Sequence, residues 1–137
     1  MSLTEALLNA DVEAITQKET KDYEVVRLSK KFKSPFILHL QEVGAKRMAE
    51  INDLAVEFKK GRVTSVNTYT LGILLICDAV TNPELSDKSV LKHYNAATKK
   101  DLLSKLLNAG EISDISNEVQ QLSGYDRDEG LEDRVKN

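Results

Sequence analysis

The sequence is poor in the residues that build disulfides and metal sites. Its 137 residues include one cysteine, two histidines, two prolines and no tryptophan. The single thiol, Cys77, cannot close an internal disulfide, so nothing indicates an oxidising compartment. The two histidines, His39 and His93, fall in different predicted elements without neighbouring cysteines or paired carboxylates, which is not the spacing of a metal site. We therefore expect no metal ligands and no cofactor-binding residues.

The chain also lacks a strong charge of either sign and a long apolar run. Lys and Arg number 19 against 22 Asp and Glu, a net charge of −3, which is not the basic excess of a nucleic-acid-binding domain. The longest apolar run, Leu71–Val80, is far shorter than the roughly 20 residues that span a bilayer. The N-terminus has no basic segment before its short apolar stretch, unlike a signal peptide. We expect a soluble, cytoplasmic protein that binds neither nucleic acid nor membrane.

Motifs that carry catalysis are missing as well. The sequence contains no P-loop, dinucleotide fingerprint, HExxH pair or nucleophile elbow. The acidic residues near the C-terminus, Asp126, Asp128 and Glu129, resemble half of a calcium loop but lack its closing glutamate. The chain is accordingly predicted to have no catalytic residues and not to be an enzyme.

Hydrophobic periodicity predicts an α+β fold, a mostly helical single domain with one small antiparallel β-hairpin. The hairpin is expected over Tyr23–Leu40, where β-branched and aromatic residues alternate with polar ones around a Lys/Ser/Pro break. The basic run Ser29–Lys33 is interpreted as a solvated hairpin edge. After Gly44 the period changes to three and four, which predicts an amphipathic helix that ends near Gly61.

The second half of the chain is predicted to be helical. A near-continuous apolar helix is expected to form the centre of the core, with Leu71, Ile73, Leu74, Leu75, Ile76 and Val80 as its most buried residues. Three short helices follow, the second capped by Thr98 and ended by Gly110, and the third ended by Gly124. Residues 1–124 are thus predicted to form the domain.

The last residues, 125–137, are predicted to be a flexible charged tail. Asp126–Asn137 contains five acidic and three basic side chains, with Leu131 and Val135 as its larger apolar groups. So little apolar surface does not offset the entropy cost of ordering the segment. A frayed terminus without function and an arm that contacts a partner both fit this composition.

Four stretches together resemble the phage tail assembly chaperones of PBSX-type prophages, the XkdN-like chaperones. They are "MSLTEALLNAD", "VVRLSKKFKSPFILHL", "NPELSDKSVLKHYNA" and the closing "LLSKLLNAGEISDISNEVQQLSGYDRDEGLEDRVKN". The resemblance implies a protein that binds the tape measure protein, helps the tail tube protein to assemble and is absent from the mature virion. It also implies that a longer, frameshifted product can share the same domain.

Other functions compatible with the sequence are a small tail-completion or connector protein that stays in the particle, and a bacterial adaptor unrelated to phages. A chaperone for a helical client needs an apolar groove or helix face. The candidate partner-binding residues lie in the last two helices and at the tail: Leu102, Leu103, Leu106, Leu107, Leu122 and Tyr125. One side of this leucine set must face the core, and the other contacts a client or a second copy unless the whole set is buried. Self-association is left open.

Overall fold

The computed structural model of the chain describes residues 2–59 and 61–125. More than half of these residues are helical, and a small three-stranded antiparallel sheet is present, which confirms the predicted α+β class. Apart from Tyr125, the predicted tail at 125–137 lies outside the described residues. The division of the chain into a domain and a tail stays a prediction.

Eight helices occur in the described residues. They are α1 (Leu3–Asn9), α2 (Val12–Thr16), α3 (Val26–Phe32), α4 (Ala45–Ala55), α5 (Thr68–Ala79), α6 (Lys88–His93), α7 (Lys99–Leu106) and α8 (Ala109–Leu122). Each helix in these ranges is too short or too polar to cross a membrane.

The strands form two antiparallel sheets. β1 (Thr20–Glu24), β2 (Ile37–Gln41) and β5 (Val80–Asn82) form the larger one, in the order β1-β2-β5. β3 (Val56–Lys59) and β4 (Arg62–Val66) form a separate hairpin.

The predicted hairpin is present, but a helix is inserted between its strands. Tyr23 pairs with Leu38, while the segment that begins at Val26 forms α3 instead of continuing the first strand. The N–H of Val25 donates to the carbonyl of Phe36 at 2.9 Å, which joins the two ends of the inserted segment. Lys33 ends the helix in the left-handed conformation. The interpretation of Ser29–Lys33 as a hairpin edge is therefore wrong.

Three predicted helix ends are also wrong. The helix after Gly44 ends at Ala55, because the chain there turns into β3, and β4 pairs back onto it. Val80 belongs to β5 and not to the central helix. Gly110 lies in the first turn of α8 rather than after α7.

The core forms where α5 packs against α4, α7, α8 and the larger sheet. Ile73, Leu75 and Ile76 are completely buried, as predicted, and Val80 is also buried. Leu71 and Leu74 are half-buried, because α5 keeps one side toward the surface. Leu38 and Leu40 from β2, each 1% exposed, complete the core on its sheet side.

Candidate functional site

A groove of about 540 Å³ lies at the surface between α5 and α8. We refer to it as the α5–α8 groove. Its apolar lining comes from Leu71, Leu107 and Ile112, and its polar lining includes Ser104 and Ser113. None of the lining residues that the structure describes is charged. An apolar depression with hydroxyl and amide groups around it is suited to an amphipathic helix of a partner.

The depth of the groove depends on how closely α5 and α8 approach each other. At Gly72, a built Cβ atom would lie 3.3 Å from Cγ2 of Ile112 and 3.5 Å from Cβ of Ser116. A larger residue at position 72 would therefore push the two helices apart or fill the groove.

Side-chain caps fix the first turns of α5 and α8, the helices on either side of the groove. The side chain of Asn67 accepts a hydrogen bond from the N–H of Thr70 at 3.0 Å, which fixes the first turn of α5. Asn108 and Glu111 form a capping box at the start of α8, with both hydrogen bonds at 2.9 Å. These caps satisfy N–H groups that have no partner within their helices.

Arg27 ties α3 to the corner between α7 and α8, next to the groove. Its guanidinium donates to both carboxylate oxygens of Glu111, at 3.0 and 2.8 Å, and to the carbonyl of Leu106 at 2.6 Å. The hydrogen bonds from Arg27 lower the pKa of the Glu111 carboxyl. The N–H of Asn108 acts in the same direction, while partial burial opposes the shift.

The ion pair between Arg27 and Glu111 makes a pH-dependent contribution to the stability of the fold. Because the pKa of Glu111 is lower in the folded protein, its stabilisation is fully present above the unfolded pKa of about 4.3 and is lost as the pH falls through the folded pKa. We expect Glu111→Gln to lower the free energy of unfolding at pH 7, and the difference from the wild type to shrink as the pH falls below about 4. Urea unfolding at a series of pH values measures this difference.

Arg27→Gln removes the same pair from its other side and should give the same pH trend. A stability difference that stays constant from neutral to acidic pH would contradict the role of this ion pair.

The predicted partner-binding residues do not form one surface. Leu102 and Leu103 are buried at 1% exposure or less, so they face the core. Leu107 is also buried, but it lines the α5–α8 groove. Leu106 and Leu122 are half-buried and pack against the core. Their role in partner binding stays a prediction.

Tyr125 is separate from the groove. It is 51% exposed, and its N–H donates to the carbonyl of Gln120 at 2.9 Å, just beyond the end of α8. Gly124 has a φ of 102°, which ends the helix as predicted. Among the described residues, Tyr125 is thus exposed for contact with a partner.

The N-terminal segment presents a second apolar surface. We call residues 2–17, which contain α1 and α2, the N-terminal arm. Neither helix has a buried residue. The large apolar side chains of the arm are 67% to 84% exposed, and they are Leu3, Leu7, Leu8, Val12 and Ile15.

In residues 1–20 the hydrophobic spacing alone predicts a short helical patch with Leu3, Leu7 and Leu8 on one side, but it assigns them no role. It missed Tyr69 and Ile112, which come together in the groove from helices that are distant in sequence. Tyr69 is 49% exposed at the first turn of α5 and lines the groove. An exposed tyrosine next to an apolar depression is a common anchor for a partner.

Reactive groups contribute little to these surfaces. In the ranges that the structure describes, no three His, Cys, Asp or Glu residues are grouped so that they could hold a metal. Cys77 is half-buried, and burial raises the pKa of its thiol, which disfavours the reactive thiolate. His39 forms a hydrogen bond with Asp22 on the outer side of the sheet.

A comparison of structures supports the fold. The crystal structure of the protein YqbN is similar, with a TM-score of 0.57 and 14% sequence identity, and the match covers 85% of this chain and 98% of that one. At this identity the likeness concerns the fold alone. Among curated proteins, none matches the chain at a significant level.

A comparison with protein families identifies the chain. The family model described as "Phage XkdN-like tail assembly chaperone protein" matches residues 4–137, which is nearly the entire sequence. This agrees with the resemblance found in the four sequence stretches. The chain therefore belongs to the family of XkdN-like phage tail assembly chaperones.

Proposed function

We propose that this protein binds the tape measure protein of its own phage and promotes assembly of the tail tube protein around it. In this role it works without catalysis in the host cytoplasm and is absent from the mature virion. Membership of the tail assembly chaperone family supports the general role. The observation that carries the specific proposal is the uncharged α5–α8 groove, because a surface depression with an apolar lining can bind an amphipathic helix.

The groove suggests how the client is held. Leu107 and Ile112 are buried at its base, and half of the surface of Tyr69 is exposed at its wall. An amphipathic client helix would place apolar side chains on this base and hydrogen-bond to groups such as Ser104 and Ser113. Because the lining is uncharged, the affinity should change little with salt concentration.

Binding through apolar contacts also suits a temporary complex. The client must be released when tube subunits assemble, so the contact has to be reversible. A groove that contacts one side of a client helix buries only part of it, and subunits that cover more of the helix can then displace the chaperone.

Co-expression with the tape measure protein of the same phage tests this proposal. We expect the tape measure protein to remain in the soluble fraction and to be recovered with the tagged chaperone. If it is equally insoluble with and without the chaperone, and no complex is recovered, the proposal is wrong. Finding the protein in purified tails by mass spectrometry would favour a connector that stays in the particle.

Variants of the groove test where the client binds. Ser113 lies on the exposed side of α8 and lines the groove, so Ser113→Arg should obstruct it without disturbing the core. We expect this variant and Tyr69→Ala to weaken client binding about tenfold or more, as measured by titration with a soluble tape measure fragment.

The matched control is Gln121→Arg. Gln121 is also an exposed residue of α8, but it does not line the groove, and the change in charge is the same. This variant should bind like the wild type. If all three variants bind the client with the affinity of the wild type, the client binds another surface.

A further inference from the structure

The N-terminal arm has no packing partner among the residues that the structure describes. Its two helices have seven and five residues, and helices shorter than about 12–15 residues are marginal in water even for favourable sequences. Ser2 and Asp11 cap the two helices, but no hydrogen bond joins residues 2–17 to the rest of the described chain. The arm therefore needs a contact beyond these described residues to be stable.

The negative charge of the N-terminal arm limits which surfaces can bind it. Residues 2–17 contain Glu5, Asp11 and Glu13 and no lysine or arginine, a charge of −3. Two arms packed against each other would bring these acidic groups together, which is unfavourable. A surface that is both apolar and basic would suit the arm better.

The same chain carries such a surface on and after α3. Residues 26–37 contain four basic side chains and no acidic one. Arg27 is paired with Glu111, and the other three, Lys30, Lys31 and Lys33, carry a charge of +3. We call the exposed part of this segment the α3 patch; it comprises Val26, Lys30, Lys31, Phe32, Lys33 and Ile37.

The α3 patch is apolar enough to receive the arm. Val26 and Phe32 are 55% and 48% exposed, and Ile37 is exposed on the outer side of β2. The ring of Phe32 stacks on that of Phe36 with 5.5 Å between centroids, which holds Phe32 in place. Lys30 and Lys33 form no ion pair with any residue that the structure describes, so they can pair with acidic groups of another molecule.

The arm and the α3 patch lie at opposite ends of β1. The arm enters β1 at Thr20, and α3 leaves after Glu24, which separates the two by about 14 Å along the strand. The start of the strand is fixed because the N–H of Glu42 donates to the carbonyl of Glu19 at 2.8 Å. In a two-fold symmetric dimer, the arm of each copy would lie on the α3 patch of the other.

We propose that this protein forms a homodimer in which the N-terminal arm of each copy packs on the α3 patch of the other. Each buried apolar side chain of the arm removes about 100 Å² from water, so two arms contribute about 1,000 Å². The patches that they cover bring the total into the range of about 1,200–2,000 Å² for specific interfaces. The α5–α8 groove is not part of this contact, so the dimer does not depend on the proposed client binding.

Sedimentation equilibrium of the full chain over a wide concentration range tests the dimer. We expect a monomer–dimer equilibrium that weakens with added salt, because the contact pairs acidic with basic side chains. A chain that stays monomeric at every concentration would overturn the proposal. A dimer that persists after deletion of residues 2–17 would overturn it as well.

Reversal of charge provides a sharper test. The double variants Glu5→Lys/Glu13→Lys in the arm and Lys30→Glu/Lys33→Glu in the α3 patch should each raise the dimer dissociation constant about tenfold. The combination of all four changes should restore most of the affinity. If the combined variant dissociates as readily as the double variants, the arm does not meet the patch.

Two further variants distinguish the contact between the arm and the α3 patch from effects of net charge. Lys46→Glu/Lys88→Glu makes the same change in charge at exposed lysines of α4 and α6, and it should leave the dissociation constant unchanged. Leu7→Ser removes an apolar side chain from the arm and should dissociate the dimer. Circular dichroism melts of each variant establish that the domain remains folded, because the arm and the patch contribute little to the core.

Discussion

Replacement of Leu75 by alanine is expected to lower the free energy of unfolding by about 2–5 kcal/mol. Leu75 is completely buried on α5, the helix that contacts α4, α7, α8 and the larger sheet. The change removes buried apolar atoms and leaves a cavity that helices on several sides cannot close without moving. Urea unfolding followed by far-ultraviolet circular dichroism measures the loss.

Leu74→Ala is the control for this experiment. It makes the same chemical change at the next position of the same helix, but Leu74 is half-buried. The loss should therefore be clearly smaller than at Leu75. A loss below roughly 0.5 kcal/mol at Leu75 would mean that α5 lies at a surface and not in the core.

The sequence predicted α5 well because its signal does not depend on distant residues. A helix that is apolar on nearly all sides has to be enclosed by other elements, whatever their arrangement. Ile73, Leu75 and Ile76 could be assigned to the core on that ground alone. Leu71 and Leu74 could not be separated from them, because the pattern does not show which side of the helix is left open.

The errors occurred where local pattern and tertiary pairing compete. Val25 and Val26 favour a strand by their branching, but α3 forms because Val25 bonds to Phe36 and Lys33 adopts a left-handed conformation. After Ala55 the helical spacing continues in the sequence, yet the chain becomes β3 because β4 is available to pair with it. Short elements of this kind are decided by contacts between segments, which one sequence does not reveal.

The candidate surfaces depended on tertiary structure even more strongly. Tyr69 and Ile112 are far apart in sequence, and the groove exists because Gly72 lets α5 and α8 approach closely. Periodicity did show an apolar side around Leu3 and Leu7. It could not show that no other described part of the chain covers that side, which is the property that makes the arm a candidate interface.

Leu103→Ala is expected to lower the free energy of unfolding by about 2–5 kcal/mol, whereas Leu106→Ala should cost about 1 kcal/mol or less. Both residues were predicted to bind a partner, but Leu103 is 1% exposed and Leu106 is half-buried on the same helix. The alanine at position 106 also keeps the carbonyl group that accepts a hydrogen bond from Arg27. The two variants thus differ in burial and not in chemistry.

Comparison of stability with client binding then separates two roles for the leucines. Under conditions in which both variants are fully folded, Leu103→Ala should bind the tape measure fragment like the wild type, because the side chain of Leu103 does not reach the surface. Weaker binding by folded Leu103→Ala would show that α7 opens to admit the client. Equal and small losses of stability in both variants would show that α7 does not pack against the core through Leu103. The leucines of α7 would then be exposed and available to bind a partner, as the sequence predicted.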